Sequence, residues 1–197
     1  MDRNNLFPIF IKANCNKILI VGGGNVAEEK LKFLLKSSPD ASVTIVSPMF
    51  RENTLSLVKS GNVTIINDSY KKDYLKGMGL IVATTDDPEV NIQIWRDCKS
   101  ESKLINVADN PTYCDFYLGG IVTKGNLKVA ISSNGKSPTI TKRVRQFFEE
   151  VIPENIDELV NNLHEYRKTI KGDFAEKVET LNEFTKGLIE ISETKND

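Results

Sequence analysis

The chain is 197 residues long, 40% hydrophobic and 27% charged, with a formal net charge of −1. That length is enough for a real hydrophobic core plus an attached segment, and the composition is that of an ordinary globular protein. A near-neutral balance excludes a global nucleic-acid or membrane-surface role, so any anion site must be a local gathering of Lys and Arg.

The first half alternates strand and helix patterns. "KILIVGGG" is a short apolar β run ending in glycines, and Ala27, Leu31, Leu34 and Leu35 then recur at helical spacing. "ASVTIVSP", "GNVTIIND" and "GLIVATTDDP" follow as three more strands; "PEVNIQIWRDCKSES" is helical, and "KLINVAD" is a fifth strand. Strands alternating with helices predict a parallel sheet covered on both faces. In "GGIVTKGNLKVAISS" two β runs flank Gly125 and Asn126, the spacing of a two-residue hairpin. "NGKSPTITKRVRQFFEEV" opens a helix capped by Ser137 with Pro138 at its first position, and Ile140, Val144, Phe147, Phe148 and Val151 form its apolar stripe. Two further amphipathic helices carry Ile156, Leu159, Leu163, Tyr166 and Ile170, then Phe174, Val178, Leu181, Phe184 and Leu188, with a break at Gly172. The closing "SETKND" is expected to fray.

The fold class is therefore α/β: a Rossmann-type parallel sheet with helices on both faces, then a β-hairpin and helix region, then a small C-terminal helical domain. The segments are 1–112 for dinucleotide binding, 113–150 for dimerisation and substrate binding, and 151–197 for the helical tail.

No apolar run reaches the roughly 20 residues that cross a bilayer, and the N-terminus lacks a signal-peptide pattern. Cys15, Cys98 and Cys114 are odd in number and widely spaced, as free thiols in a reducing cytosol are. With His164 as the single histidine, no zinc site is expected. A cytoplasmic location follows.

"ILIVGGGNVAEEK" has the G-x-G-x-x-A form in Gly22, Gly24 and Ala27, placed directly between a strand and a helix. Gly22 permits the tight turn, Gly24 lets the backbone approach a pyrophosphate, and Ala27 lets the helix sit close to the sheet. Gly22, Gly23, Gly24, Asn25 and Val26 are thus the candidate cofactor loop, with the anion at the helix N-terminus. The acidic residue that usually binds the adenosine ribose is absent; Ser47, Pro48 and Met49 stand there, with Arg51 close by. NAD is expected, and NADP stays open. Thr84 and Thr85, at the end of the fourth strand, are placed to face the same cleft, while Asp86-Asp87-Pro88 also serves as an ordinary helix start.

A Rossmann half serves enzymes, redox sensors and gating modules alike. No tyrosine here has a lysine four residues later, which removes the short-chain dehydrogenase pair, and His164 sits in a late helix far from the sheet. The densest polar region is the stretch after the fifth strand: Asn106, Asp109, Ser132, Ser133, Lys136 and Ser137, then Lys142, Arg143 and Arg145. Serines, a lysine and a helix N-terminus make a carboxylate site. From spacing alone, Asp109 is equally a turn residue before Asn110 and Pro111.

"LFPIFIK", "ILIVGGGNVAEEK", "VATTDDPEVN", "NVADNPTYCDF" and "VAISSNGKSPTITKRVR" occur in this order. Together they closely resemble the precorrin-2 dehydrogenase family, the N-terminal module of siroheme synthases, from about residue 6 to 150; the helical tail matches in length and pattern only. The resemblance implies NAD-dependent oxidation of precorrin-2, a tetrapyrrole rich in carboxylates, to sirohydrochlorin in siroheme biosynthesis. It implies a homodimer and places the family's catalytic aspartate at Asp109. Asn106, Ser132, Ser133, Lys136, Ser137 and Arg143 are then candidates for the substrate. In some members the same site inserts ferrous iron into sirohydrochlorin, and iron would enter here only as such a substrate. The rival reading is a non-catalytic NAD(P)-binding sensor or interaction module. Neither reading involves nucleic acid or a membrane.

Overall fold

A computed structural model describes residues 4–58 and 62–186. Leu188 and the "SETKND" tail, both named above, lie outside the described residues. The chain forms two compact units. One takes the chain up to Ile121 together with Ala130–Arg145; the other takes Val122–Val129 together with the chain from Gln146 onward.

The first unit holds strands β1 (Ile18–Val21), β2 (Val43–Ser47), β3 (Val63–Asn67), β4 (Leu80–Ala83) and β5 (Leu104–Val107). They pair in parallel in the order β3-β2-β1-β4-β5, with Val21 level with Val46 on one side and Ala83 on the other. Helices α1 (Asn25–Ser37), α2 (Glu52–Val58) and α3 (Pro88–Ser100) form the connections. The order reverses between β1 and β4, so the carboxyl ends of those two strands, at Gly22 and Thr84, flank the ligand crevice of such sheets.

Side chains alternate across the sheet with period two, and each face has its own core. Leu19, Val21, Ile81, Ala83, Ile105 and Val107 pack with Ile94 and Cys98 of α3. Ile18, Ile20, Val43, Ile45 and Val82 pack with Ala27 and Leu31 of α1. Each fully buried Leu or Ile contributes roughly 1.5–3 kcal/mol, so this double-faced core is what holds the strand ends in place. Asp87 caps α3, accepting the Glu89 N–H at 2.9 Å with Pro88 following at the first helical position. Helix α2 was not among the expected elements. It is seven residues long, too short for a periodic stripe to declare itself.

Beyond the sheet, β6 (Gly120–Lys124) and β7 (Leu127–Ile131) form the expected hairpin around Gly125 and Asn126. Helix α4 (Pro138–Val151) starts where Ser137 predicts, its hydroxyl accepting the Ile140 N–H at 3.2 Å. In the second unit α5 (Ile156–Thr169) and α6 (Phe174–Thr185) pack together, with Tyr166 and Phe184 ring centroids 5.2 Å apart. The hairpin turn is tied to α5 through Asp157, which accepts the Asn126 N–H at 2.6 Å. Phe147, Val151, Phe174 and Phe184 of this unit are at least half exposed. Among the described residues no helix is long and apolar enough to cross a membrane.

Candidate active site

The glycine turn is built by close approach. Gly22 has φ +121°, and a Cβ there would lie 2.6 Å from Thr84 Oγ1, so neither backbone geometry nor space admits a side chain. Gly23 is equally constrained: a Cβ would meet the Met49 carbonyl oxygen at 2.1 Å. The motif's spacing did not single out Gly23 as sterically required; the packing of the loop after β2 does. Its carbonyl accepts the Arg51 N–H at 3.1 Å and the Thr54 hydroxyl at 3.4 Å, which clamps the turn to the start of α2. Gly24 is different. It is exposed, and nothing lies within 4 Å of where its Cβ would be. No side chain caps α1 at Gly24, so the first amides of the helix face an open approach. Open space above uncapped amides fits a pyrophosphate.

Of the other candidate cofactor contacts, Ser47, Thr84 and Thr85 make hydrogen bonds within the fold. Ser47 is buried and its hydroxyl donates to the Met49 carbonyl at 2.6 Å, so toward a ribose it retains only acceptor capacity. Pro48 and Met49 are exposed at the crevice edge. Thr84 donates to the Val21 carbonyl at 2.8 Å and locks β4 to β1. The Thr85 hydroxyl lies 2.8 Å from Asn91 Oδ1, within a set of contacts between that loop and α3. The hydroxyls of both threonines therefore hold the crevice in shape.

Asp109 lies two residues past β5 and is exposed. Val107 to Asn110 make a turn, closed by the Asn110 N–H donating to the Val107 carbonyl at 3.3 Å, and Asp109 has φ +57°. A residue in the left-handed region is uncommon outside glycine, with Asn and Asp the best tolerated. The chain then folds back along the free edge of β5. Asp115 accepts the Ile105 N–H at 3.1 Å and donates its own N–H to the Ile105 carbonyl at 2.8 Å, while its carboxylate pairs with Lys99. Asn106, a candidate substrate ligand, is buried, and its amide donates to the Phe116 carbonyl at 2.8 Å. It also lines the cavity that Asp109 borders, with its Nδ2 committed to that carbonyl.

Asp109 lies on the wall of an open cavity of about 510 Å³. Ser132 and Ser133 of the loop after β7 line it, as does one face of α4: Pro138, Thr141, Lys142 and Arg145, at spacings i, i+3, i+4 and i+7. Arg143 points from a different face of the helix and does not line the cavity; Lys136 and Ser137 do not line it either. Ser137 is engaged as the α4 cap, and its N–H donates to the Ser133 hydroxyl at 3.1 Å. The opposite wall was not anticipated. Glu29, Lys30 and Phe33 share one face of α1, turned away from the Ala27–Leu31 stripe, and all three line the cavity. Lys30 is a quarter exposed and pairs with Glu29 at 3.1 Å. Phe33 was the available signal: an aromatic residue set off the core stripe of an amphipathic helix. Among the described residues no group of three or more His, Cys, Asp or Glu could hold a metal ion.

A 3-2-1-4-5 parallel sheet whose first strand ends in a glycine turn, with an uncapped helix behind it, defines a dinucleotide-binding protein of the Rossmann class. A family model described as putative NAD(P)-binding matches residues 9–120, and the chain belongs to that family. A second model, described as sirohaem biosynthesis protein central, matches residues 124–150. The siroheme synthase of Psychrobacter sp. (strain PRwf-1) is 34% identical over 177 residues, covering 90% of this chain and 35% of that protein. The siroheme synthase of Pseudoalteromonas translucida (strain TAC 125) is 35% identical over 167 residues, covering 85% of this chain and 35% of its own length. The chain thus spans about a third of the length of these curated relatives. Among solved structures, SirC, a precorrin-2 dehydrogenase, aligns with a TM-score of 0.69 at 23% identity, covering 91% of this chain and 89% of that one. That likeness bears on the fold.

Proposed function

We propose that this chain is an NAD-dependent dehydrogenase that oxidises precorrin-2 to sirohydrochlorin in siroheme biosynthesis. One observation carries the reading: a single open cavity is walled by Asp109, by the serines after β7, and by the cations Lys30, Lys142 and Arg145. A macrocycle bordered by carboxylates needs this combination, an open cavity with cations at its margin and one carboxylate placed to take a proton. The similarity to siroheme synthases and the dinucleotide turn supply the chemical context.

Oxidation removes one hydride and one proton from the macrocycle. NAD, when bound, supplies the hydride acceptor. The chain's own part is to seat the pyrophosphate on the amides after Gly24 and to hold the tetrapyrrole by its carboxylates on Lys30, Lys142 and Arg145. Ser132, beside these cations, is positioned to donate a further hydrogen bond. Asp109, at the carboxyl end of β5, accepts the proton. The macrocycle lying over Asp109 would exclude water from a carboxylate that is open in the free protein, which is where a general base gains leverage. The protein acts as a homodimer in the cytoplasm; the exposed Phe147, Val151, Phe174 and Phe184 provide apolar surface for the second copy. Nucleic acid and membrane play no part.

The test is anaerobic incubation with precorrin-2 and NAD, watching for the sirohydrochlorin absorbance and for NADH. Formation of both in equal amounts is expected. Tight NAD binding without either product would make the chain a dinucleotide sensor and overturn the proposal. Adding ferrous iron to the product then asks whether the same cavity metallates it, with iron as substrate.

A further inference from the structure

Cys114 borders the same cavity as Asp109 but has no role in the chemistry above, and its sulfur has four polar neighbours, all around one turn. The Val107 N–H approaches it at 3.3 Å and Asn106 Nδ2 at 3.4 Å, while it approaches the carbonyls of Val107 at 3.2 Å and Asn110 at 3.3 Å. Val107 and Asn110 are the two ends of the turn that carries Asp109 in its left-handed conformation. β5 is the edge strand of the sheet, so outward-facing backbone groups there have no neighbouring strand among the described residues. Left bare, such groups favour fraying or foreign pairing. The returning segment covers them: Asp115 takes both Ile105 groups, and Cys114 takes both Val107 groups.

We propose that Cys114 is a positioning residue for Asp109. Its thiol clamps the turn from Val107 to Asn110 so that the carboxylate stays on the cavity wall. This rests on the reading of Asp109 as the proton acceptor. The thiol suits the task because it both accepts and donates, giving its one proton to either carbonyl while receiving two N–H groups. Burial raises the pKa of this thiol above the ordinary cysteine range, so it keeps that proton at neutral pH. Tyr113, the preceding residue, packs its ring against Trp95 of α3 at a tilt of 48° with centroids 4.9 Å apart, anchoring the clamp to the sheet's own cover.

The experiment compares wild type, Cys114→Ala and Cys114→Ser, each alone and combined with Asp109→Asn. Displacing a reacting group by an ångström costs up to about 100-fold in rate. Cys114→Ala should therefore lower kcat for precorrin-2 oxidation roughly 10- to 100-fold with the KM for NAD unchanged. Cys114→Ser, which donates and accepts as the thiol does, should restore the rate to within about threefold. In the Asp109→Asn background Cys114→Ala should change the residual rate by less than about twofold, since groups acting as a unit are non-additive. Equal loss in that background, an unaltered kcat in Cys114→Ala, or no rescue by serine would each overturn the proposal. Amide hydrogen exchange supplies a readout independent of turnover. Peptides covering 107–114 should exchange faster in Cys114→Ala alone, with peptides of β1 and β4 unchanged. Should the wild type fail to oxidise precorrin-2, the functional reading falls. Unchanged exchange in 107–114 would separately sink the clamp.

Discussion

Asp109→Asn is the substitution that separates chemistry from backbone strain at the proposed base. Asp109 sits at φ +57°, where an L-residue pays roughly 1–2 kcal/mol and where Asp and Asn are the most tolerant non-glycine types. Asp109→Ala therefore removes the carboxylate and also strains the turn. In a domain of this size, 1 kcal/mol lowers Tm by roughly 2–4 °C, and as a disordered turn a strain of roughly 1–2 kcal/mol is worth about 5- to 30-fold in rate, a factor of ten corresponding to 1.36 kcal/mol. Loss of a general base costs about 100- to 10,000-fold. The chemical effect thus exceeds the strain effect by a factor of about three at the least, and Asp109→Asn shows it alone. The assay is initial-rate formation of NADH and sirohydrochlorin under anaerobic conditions, with Tm and NAD affinity measured in parallel. The expected result is a kcat at least about 100-fold down in both variants, with Tm lowered only in Asp109→Ala. An Asp109→Asn enzyme within about threefold of wild type, well short of a general-base loss, would refute the assignment of the proton to Asp109.

Three more expectations follow from other parts of the molecule. Lys30→Gln should weaken uroporphyrin, a stable polycarboxylate probe read by its fluorescence, by about tenfold through loss of a charge-assisted contact. Lys30→Arg should bind it nearly normally, and unchanged affinity in Lys30→Gln would remove Lys30 from the carboxylate set. Gly23→Ala places a methyl 2.1 Å from a backbone oxygen; NAD binding should fall at least about fivefold, as expected when overpacking costs roughly 1–3 kcal/mol, and normal titration calorimetry would contradict the close packing. The buried Cys98 thiol is pushed up to about 12, chiefly by desolvation, from an ordinary value of 9.0. A raised folded-state value means the unfolded chain releases this proton first. The contribution is intact below about pH 9 and declines as pH rises toward 12. The stability gap between wild type and Cys98→Ala, followed by urea denaturation, should accordingly narrow from pH 8 to pH 11. A gap constant with pH would show that the thiol is not desolvated.

Much of this arrangement could be read along the chain. The five parallel strands, the glycine turn, the hairpin at Gly125 and the Ser137 cap each follow from short-range rules: period-two burial, a φ-permissive turn, a hydroxyl at a helix start. One wall of the cavity lies in the polar stretch named from sequence, at Asn106, Asp109, Ser132, Ser133, Lys142 and Arg145, whereas the wall on α1 could not be read in this way. Lys30 and Glu29 look like the solvated face of an amphipathic helix, and only the placement of α1 beside the Asp109 turn makes them wall residues. Arg143 and Arg145 are indistinguishable in the local sequence; the register of α4 from Pro138 decides between them. Ser47, Thr84 and Ser137 have the right chemistry for ligands, but their hydroxyls are engaged within the fold; Asn106 lines the cavity with its Nδ2 already bonded. Residue type identifies a group able to bond; it does not say which bonds are already made.

Helix α1 has two roles. In the proposed reading its N-terminal amides seat the pyrophosphate, and its face at Glu29, Lys30 and Phe33 is a wall of the cavity. From Gly24 to Lys30 is under two helical turns, roughly 9 Å along the axis at 1.5 Å per residue, so the helix moves as one rod between the two sites. Its seat is set by the contacts at Gly22 and Gly23, which leave no room for a methyl. A substitution that pushes the glycine turn outward must therefore carry Lys30 with it. Gly23→Ala should raise the KM for precorrin-2 along with that for NAD, although Gly23 does not line the cavity. Lys30→Gln, acting midway along the same rod, should leave NAD affinity unchanged. Equal, isolated effects on NAD alone from Gly23→Ala would mean that the turn deforms locally and the two sites are mechanically separate.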